Sequence, residues 1–405
     1  MTPDNVVIVG GGLTGATAAL ELRRLGFHGQ LTLVGAEKHL PYNRPPMSKG
    51  FLRGEETFEE ALVAGNDEYK RHNIKLRLGT RAIKLDPRLK RVELEAGESL
   101  SYDRVLVATG GRKRRLPFAG SQLEGVFDLR TVDDSRRIQA AARSRRRAVV
   151  VGLGFIGCEV AASLRMLGHD VTALDRGSVP LERVLGAEVG AAVATLHRER
   201  GVDLLMGDGV ERIEGSGVVN RVITQSGRRL DCEFVVAGIG IEPEVEVLKN
   251  AGADVSDGVD VDDRCRTSLP DVFAAGDIAS HLHPVFGRIR VEHWNNAEHQ
   301  AKSAAAALLD QGAPYDYVHT FWSDQFDKKL EYVGYAREWD RIEIEGSLER
   351  LDFIARYFQN DRLLAAAAIG RGGDPEAEAA SELKEIANEI RMKARIRPPR
   401  PPAEQ

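Results

Sequence analysis

Cysteine is scarce in this chain of 405 residues: Cys158, Cys232 and Cys265 each stand alone. That spacing excludes a paired disulfide framework, a Cys-x-x-Cys redox motif and a cysteine-based zinc site, and it fits a reducing compartment. Positive charge is in deficit too, with 56 Lys plus Arg against 61 Asp plus Glu and a formal net charge of −5. No global field draws the chain to nucleic acid or to an anionic membrane, so any basic function has to be local. Long hydrophobic runs are missing as well. The run at 148–156 is broken by Gly152 and Gly154 and falls short of the ~18 to 20 residues that span a bilayer. Asp4 stands just before a strand-like run, with neither a cationic segment nor a small-residue cleavage signal ahead of it. The expectation is a soluble, unprocessed, cytoplasmic protein that binds no nucleic acid, no membrane and no structural metal.

What is abundant is glycine, 41 residues of the 405, against a usual share of ~7%. Two of the glycine clusters fall at one kind of place. Val6, Val7, Ile8 and Val9 form a β-branched run that ends in Gly10-x-Gly12-x-x-Gly15, after which 16–25 has helical composition and 30–34 returns to strand character. About 140 residues later the pattern repeats: a run at 147–151, then Gly152-x-Gly154-x-x-Gly157, a helix to Leu167, and a strand at 170–174. Right-handed crossover rules make each a parallel strand–helix–strand unit. Further buried-strand signals at 102–108, 234–237 and 271–275 also end in glycine, where a parallel sheet meets its ligand. From His319 the texture changes to alternation at 330–335, 342–344 and 351–358, followed by an acidic helix at 375–392. These features predict an antiparallel sheet with a helix, and the Arg-Pro tail that follows is expected to be disordered.

The chemistry of the glycine motif is local. The first glycine permits the sharp turn from strand to helix, the second lets the backbone approach a pyrophosphate, and the third allows close helix packing. The helix N-terminus then offers amide donors and a positive dipole. In the first unit Glu37 is the candidate acceptor for adenosine ribose hydroxyls, although it stands two residues past Gly35, which occupies the strand end where such an acid usually stands. In the second unit Asp175 immediately follows the strand, at the place of a ribose-binding carboxylate. A carboxylate there repels a 2′-phosphate and so favours NADH over NADPH, although Arg176 and Arg183 remain candidates for capturing a phosphate. Two nucleotide sites in one chain are explained most economically by one cofactor that stays bound and another that visits to exchange a hydride, which flavin plus nicotinamide satisfies.

The segments Arg44 Pro45 Pro46 Met47 Ser48 Lys49, Ala108 Thr109 Gly110 and Val272 Phe273 Ala274 Ala275 Gly276 Asp277 resemble those of the two-dinucleotide flavoprotein reductases. Within these, Pro41-Tyr42-x-Arg44-Pro45-Pro46-x-Ser48-Lys49 is similar to the FAD-dependent NADH:ferredoxin reductases of the putidaredoxin reductase and biphenyl dioxygenase type, related to apoptosis-inducing factor. Phe321 Trp322 Ser323 Asp324 Gln325 resembles the start of that family's C-terminal domain. The resemblance implies an α/β fold of two Rossmann-like dinucleotide-binding domains, glutathione-reductase-like, plus a C-terminal α+β domain. The expected boundaries are 1–114 and 243–317 for the FAD domain, 115–242 for the NAD domain, 318–392 for the C-terminal domain and 393–405 for the tail.

Carried onto this chain, the resemblance implies FAD held by Gly10, Gly12, Thr14, Gly15, Glu37, Arg44, Lys49, Ala82, Thr109, Gly110, Arg130, Gly276 and Asp277. Glu292, Trp294 and Trp322 would face the flavin ring. NADH would lie on Gly152, Gly154, Phe155, Ile156, Gly157, Asp175, Arg183 and Gly240. Lys49 would sit beside the flavin, paired with Glu159, as the catalytic couple. His293 and Cys158 read as packing residues. Disulfide reductases of similar architecture need a cysteine pair near the flavin, and the peroxide-reducing relatives use one cysteine in the region that here spans 43–49; this chain has neither. Electrons would then leave singly to an acidic [2Fe-2S] ferredoxin that supplies a monooxygenase or a ring-hydroxylating dioxygenase. The basic clusters at 112–115 and 143–147 and the 395–400 tail are candidate docking sites for it. The alternatives are a redox-responsive interaction protein like apoptosis-inducing factor, or a reductase serving rubredoxin. A monomer and a homodimer both fit the sequence.

Overall fold

The computed structural model describes residues 3–114, 116–376 and 380–396. Two five-stranded parallel sheets dominate. The first has the spatial order Val272–Ala274, Arg104–Val107, Asn5–Val9, Gln30–Gly35, Lys75–Leu78, and the second Asp203–Met206, Asp170–Asp175, Arg147–Val151, Phe234–Ala237, Val126–Asp128. Matching registers tie the paired units together: Val9 lies opposite Val34 and Val107, and Val151 opposite Leu174 and Ala237. Val6, Val7, Ile8 and Val9 are all buried, as a strand covered on both faces requires, so an unbroken apolar run rather than an alternating one is the correct signature of these sheets.

The chain enters and leaves the second unit through one small ribbon. Gly111–Lys113 pairs antiparallel with Ile241–Pro243, with Glu242 opposite Arg112. Arg114 directly follows the first strand of this ribbon and Pro243 ends the second.

The C-terminal part is a five-stranded antiparallel sheet in the order Thr320–Gln325, Lys328–Gly334, Arg362–Ile369, Asp352–Gln359, Arg341–Ser347. Apart from the largely exposed edge strand Arg341–Ser347, both faces are covered, and they divide with period two except at the register shift beside Phe358 and Leu363. Val333, Ile354, Leu363, Ala366 and Ala368 pack under Leu383, Ile386 and Ile390 of the terminal helix. Leu330, Tyr332, Phe353, Ala355, Tyr357, Ala365 and Ala367 enter a core shared with Val160, Leu164 and Leu185 of the second unit. This sheet therefore forms a continuous interior with the second unit. Its strand Arg362–Ile369 carries Ala365, Ala366, Ala367 and Ala368, a run of strong helix formers with no β signal of its own; burial on both faces overrides that propensity.

Two expectations about this region are corrected. The terminal helix spans Glu382–Ile396 and does not begin at Pro375. The Ser381 hydroxyl accepts the amide of Lys384, a cap that stabilises by about 1 kcal/mol, while residues 375 and 376 form a turn. The helix also runs past the expected start of the tail at 393. The rest of the tail, 397–405, lies outside the described residues. Among the described residues no helix is long and apolar enough to cross a membrane, and no group of three or more His, Cys, Asp or Glu is placed to hold a metal ion.

Candidate functional site

The two glycine turns are built alike. Gly10 adopts φ +128°, and a Cβ on it would stand 2.1 Å from the Ala108 carbonyl oxygen; a Cβ on Gly15 would stand 1.9 Å from the Gly10 oxygen. In the second turn a Cβ on Gly152 would meet the Gly238 oxygen at 2.6 Å, and one on Gly157 the Gly152 oxygen at 1.8 Å. The middle glycines differ from these. Gly12 and Gly154 have no neighbour within 4 Å of a Cβ position, so each leaves open room directly over a helix N-terminus, at Leu13–Arg24 and Phe155–Met166. Open backbone beside unpaired helix amides is the geometry a pyrophosphate needs.

A cavity of about 810 Å³ extends from the first turn to the start of the second helix. Of the residues expected at the cofactors, Gly10, Gly12, Thr14, Glu37, Arg44, Lys49, Ala82, Thr109, Gly110, Arg130, Asp277, Glu292, Trp294 and Trp322 line it, joined from the second unit by Phe155, Ile156 and Glu159. Gly15 and Gly276 stand behind its wall, Gly276 directly against Thr14. Gly152, Gly154, Gly157, Asp175, Arg183 and Gly240 lie in the second unit away from it. The Gly240 carbonyl accepts the amide of Arg114 at the ribbon.

Charge in the wall is organised before any ligand arrives. Glu37 accepts the Tyr42 hydroxyl at 2.6 Å and Arg44 Nη2 at 2.7 Å, and Arg44 also donates to the Arg130 carbonyl. Burial opposes the charge on Arg44, but Tyr42 and Glu37 outweigh it and hold the guanidinium above its ordinary pKa. A Cβ on Gly35 would sit 3.0 Å from the Leu78 side chain and 3.2 Å from Gly11 Cα, so the strand end packs closely there. Arg130 pairs with Asp277 at 2.9 Å, and Glu292 with Arg290.

At the junction of the two units Lys49 Nζ lies 3.2 Å from Glu159 Oε1, the side chains being 11% and 6% exposed. Pro45 and Pro46 set the 3-10 turn Pro45–Ser48 that delivers Lys49 to this point. Ser48 and Ser323 donate to the two oxygens of Glu159 at 2.5 and 2.7 Å. These serines were not among the expected site residues, although both stand inside the motifs that carried the resemblance; only the tertiary fold puts them on one carboxylate. Trp322 lies 5.9 Å from the Lys49 ammonium and meets Trp294 edge to face at 5.7 Å, while Trp294 donates to Asn43 at 2.8 Å.

His293 stacks on Phe321 at 4.1 Å, and burial lowers its imidazole to about 4, so it packs the wall in the neutral form. Cys158 is fully buried. Burial, reinforced by Glu159 and Asp175, pushes its thiol well above the ordinary range, which removes it as a nucleophile.

In the second unit Asp175 Oδ2 accepts the Leu153 amide and Oδ1 the Gly177 amide, both at 2.7 Å. The carboxylate is thereby anchored at the glycine turn. Arg176 is turned toward Gly209, where a Cβ would meet its Nε at 2.9 Å, and Arg183 is exposed. Asp175→Ser is expected to narrow the preference for NADH over NADPH in kcat/KM by about tenfold, because a like-charge repulsion is removed. Steady-state kinetics with the two nucleotides check this, and an unchanged ratio would remove Asp175 from the specificity role.

The basic clusters look different in three dimensions. Arg112 is bound to Glu242 at 2.8 Å and Glu246 at 2.7 Å, and Lys113 to Asp128 and Asp134. Arg145 is bound to Glu124, and Glu233 accepts the amides of Arg146 and Arg147. Both candidate docking clusters therefore carry carboxylate partners, at Arg112 and Lys113 in the first and at Arg145 in the second. Arg115 lies outside the described residues.

Residues 4–301 match the pyridine nucleotide-disulphide oxidoreductase family, and residues 320–393 the reductase C-terminal family. The chain is 38% identical over 380 residues to putidaredoxin reductase CamA of Pseudomonas putida, covering 91% of this chain and 89% of that protein. It is 37% identical over 378 residues to the anthranilate 1,2-dioxygenase system ferredoxin–NAD(+) reductase component of Burkholderia cepacia, covering 92% and 93%. Among solved structures, the covalent putidaredoxin reductase–putidaredoxin complex aligns with a TM-score of 0.92 at 36% identity, over 97% of this chain and 94% of that one.

Proposed function

The chain belongs to the pyridine nucleotide-disulphide oxidoreductase family, and from that premise we propose that it is an NADH-dependent ferredoxin reductase with bound FAD, whose acceptor is an acidic [2Fe-2S] ferredoxin feeding a monooxygenase or a ring-hydroxylating dioxygenase. FAD, when bound, supplies the step from two-electron donation by NADH to single-electron release. The residues fit such a group. The glycine turn with open room at Gly12 suits a pyrophosphate, Arg44 and Arg130 bring cationic charge to the wall, and the cavity is long enough to pass from the first unit to the second.

In this reading the parts 3–114 and 243–317 hold FAD, 115–242 receives NADH on the second turn, and the C-terminal sheet closes the cavity with Trp322. Glu37 and Asp175 take ribose hydroxyls. Asp277, oriented by Arg130, takes polyol hydroxyls. Lys49 keeps a positive charge beside the ring where electron density arrives, and Glu159 makes that charge tolerable in a buried place.

The observation that carries the proposal is the buried Lys49–Glu159 contact, which joins the two nucleotide-binding units at the cavity. The purified protein is expected to be yellow, to bleach on anaerobic addition of NADH, and to regain colour as an acidic [2Fe-2S] ferredoxin is reduced, with a rate that falls as salt rises. Bleaching that is followed only by slow, ferredoxin-independent reoxidation would overturn the assignment of the acceptor.

A further inference from the structure

Glu159 is held by more than Lys49, and the rest of the arrangement is decided by counting protons. An ionised carboxylate only accepts, so Ser323 Oγ, 2.7 Å from Oε1, must commit its single proton to Glu159. Gln325 lies 3.2 Å from the same Oγ and can therefore meet it only with its amide NH2. That orientation turns the Gln325 oxygen to His197 Nε2 at 2.9 Å, so Nε2 must carry the imidazole proton. Ser323, Gln325 and His197 are all buried, His197 completely, and among the described residues His197 Nδ1 has no hydrogen-bond partner. Every group along this line has one permitted orientation, and the line runs from the helix Glu182–Glu199 through the strand Thr320–Gln325 to the cavity.

We propose that Ser323 is a positioning residue for the reductase reaction, held in its donor orientation by Gln325 and His197. Ser323 and Lys49 share the oxygen Oε1 of Glu159, while Ser48 takes Oε2. With the Ser323 proton in place, Oε1 is only partly dependent on Lys49, whose ammonium also meets the Pro45 carbonyl at 3.5 Å and Asp324 at 3.9 Å and faces the cavity. Without it, Oε1 draws on Lys49 alone, and the charge moves toward Glu159 and away from the ring. The C-terminal sheet thus sets the position of a charge supplied by the first unit, through a carboxylate supplied by the second. This rests on the reading that Lys49 stands beside the flavin.

The test is made on the FAD-loaded protein. Ser323→Ala is expected to slow anaerobic reduction of the flavin at saturating NADH by about tenfold, with the half-saturating NADH concentration unchanged, and to shift the flavin midpoint potential to a more negative value. Ser323→Thr, which keeps the hydroxyl in a strand-favouring residue, is expected to restore both. Gln325→Met is expected to give a smaller loss in the same direction. The 15N shifts of His197 are expected to report the Nε2–H tautomer. Ser323→Ala with wild-type rate and potential, equal slowing in the Ala and Thr variants, or the Nδ1–H tautomer would each overturn the proposal. Lys49→Met separates the two levels: if it alone slows reduction, the Lys49 reading stands and the positioning role falls; if it too is without effect, the reading beneath falls.

Discussion

Lys49→Met is expected to slow reduction of the bound flavin by NADH about 100-fold, the cost usually seen when one preorganised charge partner is removed from a site of developing negative charge. The side chain is nearly isosteric along its stem, so packing in the wall is kept while the ammonium is lost. Glu159 is then left as a buried carboxylate with only Ser48 and Ser323 as donors. Breaking a buried pair from one side commonly destabilises by ~3 to 5 kcal/mol. The two remaining hydrogen bonds moderate this, and about 2 kcal/mol is expected for this variant. Adding Glu159→Gln should recover most of the stability, because the uncompensated charge is gone, without recovering the rate. Stopped-flow reduction and thermal melting of the two single variants and the double variant form a cycle that separates the two effects. A wild-type reduction rate in Lys49→Met would place the ammonium away from the flavin.

The second large effect concerns glycines that look equivalent in the motif. A Cβ at Gly157 would stand 1.8 Å from the Gly152 carbonyl oxygen, a backbone atom in the middle of the turn that has nowhere to move. Gly157→Ala is expected to destabilise the second unit by about 3 kcal/mol or more. Gly154 has an extended backbone, with φ −74° and ψ −172°, and nothing within 4 Å of a Cβ position. Gly154→Ala should leave the melting temperature unchanged or slightly raised, since alanine restricts the unfolded chain. Its methyl group would nevertheless stand where a pyrophosphate has to approach, and the KM for NADH is expected to rise about tenfold or more. The two variants therefore carry opposite signatures, one in stability and the other in nucleotide affinity. If both altered stability alone, the second turn would not be a nucleotide site.

How much was legible follows the distance over which each feature is determined. Each glycine turn is a six-residue pattern whose steric demands arise within the turn and the strands beside it, so both strand–helix–strand units could be read directly. The strand Arg362–Ile369 could not: its alanines say helix, and only a helix on one face and the second unit on the other make it a strand. The start of the terminal helix was misread because Pro375 is compatible with a first turn, whereas the cap is Ser381. The clusters around Arg112 and Arg145 looked free because their carboxylate partners, Glu242 and Glu246 for one and Glu124 for the other, are separated from them along the chain or lie on another strand.

The order of residues alone determined that this protein has two strand–helix–strand units with glycine turns and an acid at the end of a strand in the second, because each of these depends on residue type and short-range spacing. Only the tertiary structure decided that Lys49, Ser48 and Ser323 meet at the one carboxylate of Glu159 and that Arg112, Lys113 and Arg145 have carboxylate partners. Hydrogen bonds and ion pairs between separate elements, some more than a hundred residues apart, depend on how the sheets are set against each other, and that arrangement arises from the burial of a shared core that no local segment encodes.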